Sequence, residues 1–172
     1  LLTNDMSGLK LGQARYSFIC QQDGGILDDV VVYRRTGEAF LLVCNAGNRE
    51  AVIEWMNMFT GDDTGEGEDP DDPLMGPNLK RLVAQAVEAP VIGDRTTATS
   101  MLAVQGPLAI EKTSLLLGGL PPLKRFHGTD VAWGGGIVLV TRTGYTGEDG
   151  LELMTTPQTG IALWEQFLLA GA

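Results

Sequence analysis

Residues 23–33 constrain the fold more than any other segment of this 172-residue sequence. Asp23-Gly24 is a tight-turn signal between two strand-like stretches, which predicts a β-hairpin over residues 13–33. Two carboxylates, Asp28 and Asp29, stand at the head of the return strand. Because successive side chains of a strand point to opposite faces, one of the two must lie among aliphatic neighbours, whichever face meets the core.

An ionised carboxylate is costly to bury unless it is paired or bound by something. The pair therefore has two interpretations. It either supplies a functional carboxylate that accepts hydrogen bonds from a ligand or manages a proton, or it caps the hairpin or lies on a sheet edge. The pattern alone leaves both interpretations open and does not choose between Asp28 and Asp29.

The remaining pattern predicts an α+β fold with mainly antiparallel sheets and packed helices. Asn48 is the predicted N-cap of the first helix, and the apolar run that starts at Phe40 predicts a buried strand. The predicted strands are 15–20, 26–34, 40–44, 101–104, 129–133, 137–141 and 151–155. Helices are predicted at 49–59, from about 77, between 107 and 118, and from 156. The last helix has an apolar stripe on one side, formed by Ile161, Trp164 and Leu168.

The negative charge of the chain is concentrated in one segment. Seven of the 22 acidic residues fall within positions 61–73, and the other 15 are nearly balanced by 12 Lys and Arg. Residues 60–78 therefore predict an acidic, solvated insertion loop, and their spacing lacks the ligand order of an EF-hand, so no metal site is expected. The absence of a basic patch argues against nucleic acid as a partner.

Cysteine and histidine are scarce. Cys20 and Cys44 have no metal-ligand spacing, which favours a reducing compartment and free thiols. His127 is the only histidine, so triads that need histidine are excluded and any reaction must rely on carboxylates, positioning and an external cofactor. No stretch approaches the roughly 20 apolar residues of a membrane span, and no membrane partner is expected. The chain begins without Met, which indicates a piece of a longer protein.

A second candidate motif occupies residues 142–152, where glycines recur at every third position. It fits neither a dinucleotide fingerprint nor a phosphate loop. It is either a long hairpin loop whose glycines supply positive φ, or a loop over a planar ligand. In the second case Tyr145 would stack or hydrogen-bond, and Glu152 would accept from a ring nitrogen and an amine. Asn45, which follows the third predicted strand, is by itself a turn former.

Taken together, five segments resemble the glycine cleavage system T-protein family, the tetrahydrofolate-dependent aminomethyltransferases. They are residues 1–5 (LLTND), 24–29 (GGILDD), 43–49 (VCNAGNR), 103–107 (AVQGP) and 143–152 (TGYTGEDGLE). The resemblance covers nearly the whole chain except about 60–98. It implies that residues 1–172 are part of a multi-domain folate-binding aminomethyltransferase, with the N-terminal start and a C-terminal β domain outside the chain.

The resemblance also implies a reaction: a methylene group passes from aminomethyl-dihydrolipoyl H-protein to tetrahydrofolate, and ammonia is released. Asp29 matches the essential catalytic carboxylate, which orients the folate in a dry pocket and stabilises developing positive charge, and Asp28 is left as structural support. The positions that match folate contacts of the family are Tyr16, Asn45, Tyr145 and Glu152.

Two other functions stay open within this resemblance. One is a folate-dependent demethylase of the same superfamily, and the other is a non-catalytic folate-binding accessory protein. Retention of Asp29 and of the complete 145–152 motif argues against the accessory protein. The expected location is the cytoplasm, or the mitochondrial matrix in a eukaryote.

Overall fold

The computed structural model describes residues 1–59 and 91–171. In these ranges the strands form two sheets, with the orders β1-β2-β3 and β4-β7-β6-β5, and the predicted α+β class is confirmed. The predicted helix from 77 and the acidic insertion at 60–78 lie outside the described residues. The elements are β1 (Ala14–Cys20), β2 (Ile26–Arg34), β3 (Phe40–Val43), α1 (Arg49–Asn57), β4 (Ser100–Gln105), α2 (Ala109–Leu116), β5 (Gly128–Trp133), β6 (Gly136–Thr141), β7 (Gly150–Thr155) and α3 (Pro157–Leu169).

The chain divides into two compact units. The first consists of Leu1–Ser7, Tyr16–Val32 and Leu42–Asp94. The second consists of Gly8–Arg15, Tyr33–Leu41 and Arg95–Ala172. Strands β1, β2 and β3 therefore each contribute residues to both units.

The core of the first unit forms where β1, β2 and α1 meet. Ile19, Val30, Val32 and Val52 make up its buried cluster. The last of these lies on α1, whose partly buried Trp55 packs against the same cluster, as the helical spacing predicted. Because Val30 and Val32 alternate with exposed or half-buried residues, β2 has one face toward this core and one face away from it.

The prediction that the third strand is buried was wrong. Phe40 is exposed, and the other residues of β3 are only half-buried. The strand lies at the end of its sheet, next to β2 alone among the described strands. A continuous apolar run does not distinguish a central strand from an edge strand, because burial depends on what the sheet places on either side.

The second unit is organised around β7, which lies between β4 and β6 and is buried along its whole length. Both of its pairings are antiparallel, and the pairing with β6 is the one that the sequence predicted. One face of the sheet carries the core cluster, to which α3 adds two buried side chains. The cluster consists of Leu117, Val138, Val140, Leu151, Leu153, Leu163 and Phe167. Glu152 lies on the other face, because its neighbours in sequence occupy this one.

Helix α3 begins as predicted, with Thr156 as its N-cap and Pro157 in the first turn. Its predicted apolar stripe, however, does not face the core. The stripe is exposed to solvent, and the buried set lies on an adjacent face; the exposed residues are Ile161, Trp164 and Leu168, and the buried ones are Gly160, Leu163 and Phe167. Gly160 explains the choice of face, since a Cβ there would lie 2.6 Å from the Cβ of Ser100 on β4. Only a glycine lets the helix approach the strand so closely.

Candidate functional site

Strands β1 and β2 are neighbours in the first sheet, and they place Tyr16 beside Asp29. The N-terminal segment secures this part of β1, because the Asn4 Nδ2 donates to the Tyr16 carbonyl at 2.8 Å and the Asn4 backbone N–H donates to Ser17 Oγ at 3.2 Å. Asn45 arrives from the chain that follows β3, at the start of a short 3₁₀ turn over Ala46–Asn48. Three of the predicted site residues therefore come from three separate segments.

Asp29 is exposed and accepts one hydrogen bond on each carboxylate oxygen. Asn45 Nδ2 donates to Oδ1 at 2.9 Å, and the Tyr16 hydroxyl donates to Oδ2 at 3.1 Å. Desolvation raises the pKa of Tyr16 above its ordinary value of 10.0, and the hydrogen bond and negative charge of Asp29 raise it further. The phenol consequently stays protonated near neutral pH and remains a donor. The dry pocket expected around Asp29 is not formed by the described residues of this unit, in which Asp29, Tyr16 and Asn45 are all exposed.

Asp28 is the buried member of the pair, with only 3% of its surface exposed. Its Oδ2 accepts from the Asn45 backbone N–H at 2.9 Å, and its Oδ1 accepts from Asn45 Nδ2 at 2.9 Å and from Asn48 Nδ2 at 2.7 Å. Burial by itself would raise the pKa of Asp28, but these donors together hold the pKa below its ordinary value of 3.8. The buried carboxylate is therefore ionised and well supplied with donors.

The orientation of the Asn45 carboxamide follows from its surroundings. Its Nδ2 lies 2.9 Å from Asp28 Oδ1 and 2.9 Å from Asp29 Oδ1, with the Asp29 carbonyl oxygen at 3.3 Å. The flipped amide would direct its own oxygen at two carboxylates, with no proton between them. Asn45 thus bridges the two aspartates with its NH₂ group.

Asn48 has a different role from the predicted one. It stands at the N-cap position of α1 but makes no capping hydrogen bond with its side chain. Its carboxamide Nδ2 donates to Asp28 Oδ1 at 2.7 Å, a hydrogen bond to an ionised acceptor. The spacing of the two asparagines could have indicated this role. Two asparagines three residues apart after a strand are compatible with a shared polar cluster, and also with a turn followed by a helix cap.

In the second unit, Glu152 is 6% exposed and pairs across the sheet with Thr141 on β6 and Ala103 on β4. The Thr143 hydroxyl donates to Glu152 Oε2. Thr143 Oγ1 also lies 2.7 Å from Thr141 Oγ1 and 3.2 Å from the Tyr33 hydroxyl. A hydroxyl has one proton, so Thr143 gives it to Glu152 and accepts from its other two partners. The sequence pattern did not identify Tyr33, Thr141 and Thr143 as part of the site, although the spacing of the two threonines puts both on one face of a strand.

Tyr33 belongs to this buried network. Desolvation raises its pKa above the ordinary value of 10.0, and the charge of Glu152 adds to the effect, against the lowering by the hydroxyls of Thr143 and Thr141. The phenol is therefore kept neutral, and it serves as a hydrogen-bond donor to Thr143 beside Glu152.

The glycine-rich segment after β6 is a braced loop. An Arg142–Asp149 ion pair joins the two sides of its base. The Gln105 side chain enters the same base, where its Nε2 donates to the Thr143 carbonyl at 3.2 Å and to the Leu151 carbonyl at 3.1 Å. Glycine at positions 144 and 150 leaves room for that side chain, which a Cβ at either position would meet. Tyr145 lies beyond this base and is 90% exposed.

The structure therefore brings Tyr16, Asp29 and Asn45 together in the first unit and places Tyr145 and Glu152 in the second. Both Cys20 and Cys44 are free thiols, as expected. Within residues 1–59 and 91–171, no group of His, Cys, Asp and Glu side chains could hold a metal ion. None of the helices in these ranges is long and apolar enough to cross a membrane.

Fold and site together define an α+β domain with an exposed, donor-supported carboxylate on one unit and a buried carboxylate on the sheet of the other. The chain belongs to the family of the GCVT N-terminal domain, whose family model matches residues 1–172. The resemblance found in the sequence is thereby confirmed.

Known proteins agree with this assignment. The chain is 37% identical to an aminomethyltransferase of Rubrobacter xylanophilus over 173 residues, which is 100% of this chain and 40% of that protein. It is 32% identical to the aminomethyltransferase of Chlorobium luteolum over 99% of this chain and 41% of that protein. The crystal structure of glycine cleavage system aminomethyltransferase T from Bartonella henselae matches with a TM-score of 0.69 and 30% identity, over 97% of this chain and 38% of that one. The chain thus spans about two fifths of the length of the curated relatives it matches.

Proposed function

We propose that this chain is the folate-binding part of an aminomethyltransferase. In this proposal a methylene group passes from an aminomethyl-dihydrolipoyl arm of an H-protein to tetrahydrofolate, with release of ammonia, in the cytoplasm or in the matrix of a mitochondrion. The relatives named aminomethyltransferase support the reaction class. The observation that carries the assignment of the site is the Asp29 carboxylate, which is exposed yet held by Tyr16 and Asn45.

The donor and acceptor chemistry of the site fits a folate. A reduced pterin presents ring N–H and amine donors, and the ligand when bound supplies the N5 nitrogen that accepts the one-carbon unit. Asp29 has one fixed donor on each oxygen and still has lone pairs for a ligand N–H. Glu152 offers a second carboxylate, whose Oε2 is already held by Thr143.

The chain's own residues then have distinct roles. Asp29 orients the ligand and stabilises positive charge that develops as the amine leaves, which is electrostatic catalysis by a group fixed in advance. Tyr16 and Asn45 hold that carboxylate in place, and they contribute folate contacts with their remaining polar atoms. Tyr145 offers an exposed aromatic ring on a braced loop, and Glu152 accepts from the pterin edge.

The test of the catalytic assignment is Asp29→Asn in the complete protein that carries this chain. The substitution keeps the shape of the side chain and removes its charge, so folate-dependent ammonia release from aminomethylated H-protein should fall by about 100-fold or more. Asp23→Asn is the matched control, because Asp23 lies on the same hairpin, outside the candidate site, and accepts from the Gly25 backbone N–H at 2.8 Å, a bond that an asparagine oxygen can keep. Near-normal turnover of Asp29→Asn would refute the assignment.

Folate binding is tested separately from catalysis. A ligand that binds only the native state stabilises it by about 2.7 kcal/mol at 100 times Kd. Tetrahydrofolate should therefore raise the Tm of the complete wild-type protein by several degrees. A Tm that does not move at saturating folate contradicts a folate function altogether. A clear shift without ammonia release, but with methyl transfer from a methylated amine, identifies a demethylase instead.

A further inference from the structure

We infer that Asp28 is a positioning residue for the reaction, and that it acts on Asp29 through the carboxamide of Asn45. This inference rests on the proposed function, in which Asp29 contacts the ligand. In this inference the buried aspartate supports the fold and also sets the orientation of the carboxylate that contacts the ligand.

The buried Asp28 carboxylate holds the Asn45 segment in place. Asp28 binds both the backbone N–H and the side-chain Nδ2 of Asn45, at 2.9 Å each, and it binds Asn48 Nδ2 at 2.7 Å. Neither asparagine caps a helix with its side chain. The buried carboxylate is thus the anchor of the turn between β3 and α1, and both asparagine side chains donate to it.

The Asn45 carboxamide divides its two NH₂ protons between the two aspartates. Its NH₂ group has two hydrogens, and its two shortest contacts are Asp28 Oδ1 and Asp29 Oδ1, each at 2.9 Å. With one hydrogen fixed by the buried carboxylate, the planar amide can direct the other only toward Asp29. The direction of the donor that Asp29 receives on Oδ1 is therefore set by Asp28.

Only a carboxylate at position 28 can accept all three of these donors. Asp28 accepts three donors on two oxygens. An asparagine in its place has one acceptor oxygen, and its own NH₂ would face the amide protons of Asn45 or Asn48. In one orientation this NH₂ group opposes the Asn45 backbone N–H, and in the other it opposes the Nδ2 groups of Asn45 and Asn48. Either way the turn loses part of its anchor, and the donor that Asn45 presents to Asp29 Oδ1 is no longer held in place. A displacement of about 1 Å in a positioning group is enough to cost about 100-fold in rate.

The variant that tests the inference is Asp28→Asn in the complete protein, with Asp23→Asn as the matched control. We expect kcat to fall about 10- to 100-fold while the KM for tetrahydrofolate changes less than about threefold, since the loss lies in alignment rather than in a binding contact. Asp23→Asn should leave both constants unchanged. A normal kcat in folded Asp28→Asn protein overturns the inference, and so does an increase in KM alone.

A double-mutant cycle separates positioning from general structural support. If Asp28 acts through Asn45, then Asp28→Asn should lower kcat less than about threefold when it is introduced into Asn45→Ala, because the connecting group is already absent. Losses that multiply in the double variant would show that the two residues act independently and would overturn the inference.

One measurement needs no substitution and therefore holds even if Asp28→Asn does not fold. In the wild-type protein without folate, the Asn45 side-chain amide should give two proton resonances that exchange slowly with solvent, although the residue is exposed. Exchange as fast as that of a free carboxamide would overturn the inference. Failure of the proposed function is distinguishable from all these outcomes, because it shows as absent folate-dependent turnover in the wild type or as normal turnover in Asp29→Asn.

Discussion

Replacing Thr143 by valine tests the buried network around Glu152. The hydroxyl of Thr143 donates to Glu152 Oε2 and lies within hydrogen-bond distance of Thr141 Oγ1 and the Tyr33 hydroxyl. Valine keeps the branched shape and replaces this hydroxyl by a methyl group. The substitution therefore removes one atom's hydrogen bonds while leaving the packing nearly unchanged.

The cost follows from the partners that are left behind. Glu152 is 6% exposed and loses a charge-assisted hydrogen bond, which costs about 1.5–3 kcal/mol. Tyr33 is 1% exposed and loses its hydrogen bond with Thr143, which adds about 1 kcal/mol. Thr141 has an alternative acceptor for its proton in the Glu152 carbonyl at 3.3 Å and adds little. Together Thr143→Val should lower the free energy of unfolding by about 3 kcal/mol.

The assay is urea denaturation followed by circular dichroism, with Thr143→Ser as the matched control. Serine keeps the hydroxyl and loses only a methyl group, so its cost should stay near 1 kcal/mol, the usual effect of one buried methyl(ene). Unchanged m-values would show that the denatured states are comparable. Equal losses of stability for valine and serine would refute the reasoning, since the hydroxyl would then contribute nothing beyond its volume.

Three further predictions concern the second unit. Gly160→Ala should lower the free energy of unfolding by about 1–3 kcal/mol, because the added Cβ meets Ser100. The loss should be smaller in a Ser100→Gly background, which the urea midpoints of the wild type, the two single variants and the double variant would show. Leu163, at 0% exposure, should lose about 2–5 kcal/mol of unfolding free energy on replacement by alanine, whereas Leu169→Ala, at 81% exposure, should change it by no more than about 0.5 kcal/mol. Equal effects of the two substitutions would contradict the described orientation of α3. The raised pKa of Tyr33 gives stability that is complete below its ordinary value of 10.0 and is lost as pH rises through the folded-state pKa, so Tyr33→Phe should flatten the alkaline limb of stability against pH.

Much of the fold was predictable because local signals are strong where the chain turns. The hairpin around Asp23-Gly24, the strand after the 134–136 glycines and the helix that begins at Pro157 all lie where turn and cap residues place them. The exposed face of α3 was not predictable in this way. Two apolar stripes lie side by side on that helix, and the close approach at Gly160, a tertiary contact, decides which one is buried.

Part of the candidate site was predictable from the alternation of side chains along a strand and from the resemblance to a known family. Alternation showed that Asp28 and Asp29 face opposite ways, and the resemblance pointed to Asp29 as the ligand-facing group. Neither showed that Asn45 and Asn48 both serve Asp28, because hydrogen-bond partners 17 and 20 residues apart depend on the tertiary path of the chain. For the same reason the threonines around Glu152 could not be assigned to it from spacing alone.

The adjacency of the two aspartates has a physical consequence that neither residue explains alone. A carboxylate has about four lone-pair sites. Asp28 has three of them engaged by asparagine donors, whereas Asp29 has two engaged, one on each oxygen. Most of the remaining acceptor capacity therefore lies on the exposed carboxylate. Because β2 carries the two aspartates side by side, the fold fixes the buried Asp28, and Asp29 is left oriented with lone pairs that can still accept hydrogen bonds. A ligand rich in N–H donors requires an acceptor of this kind.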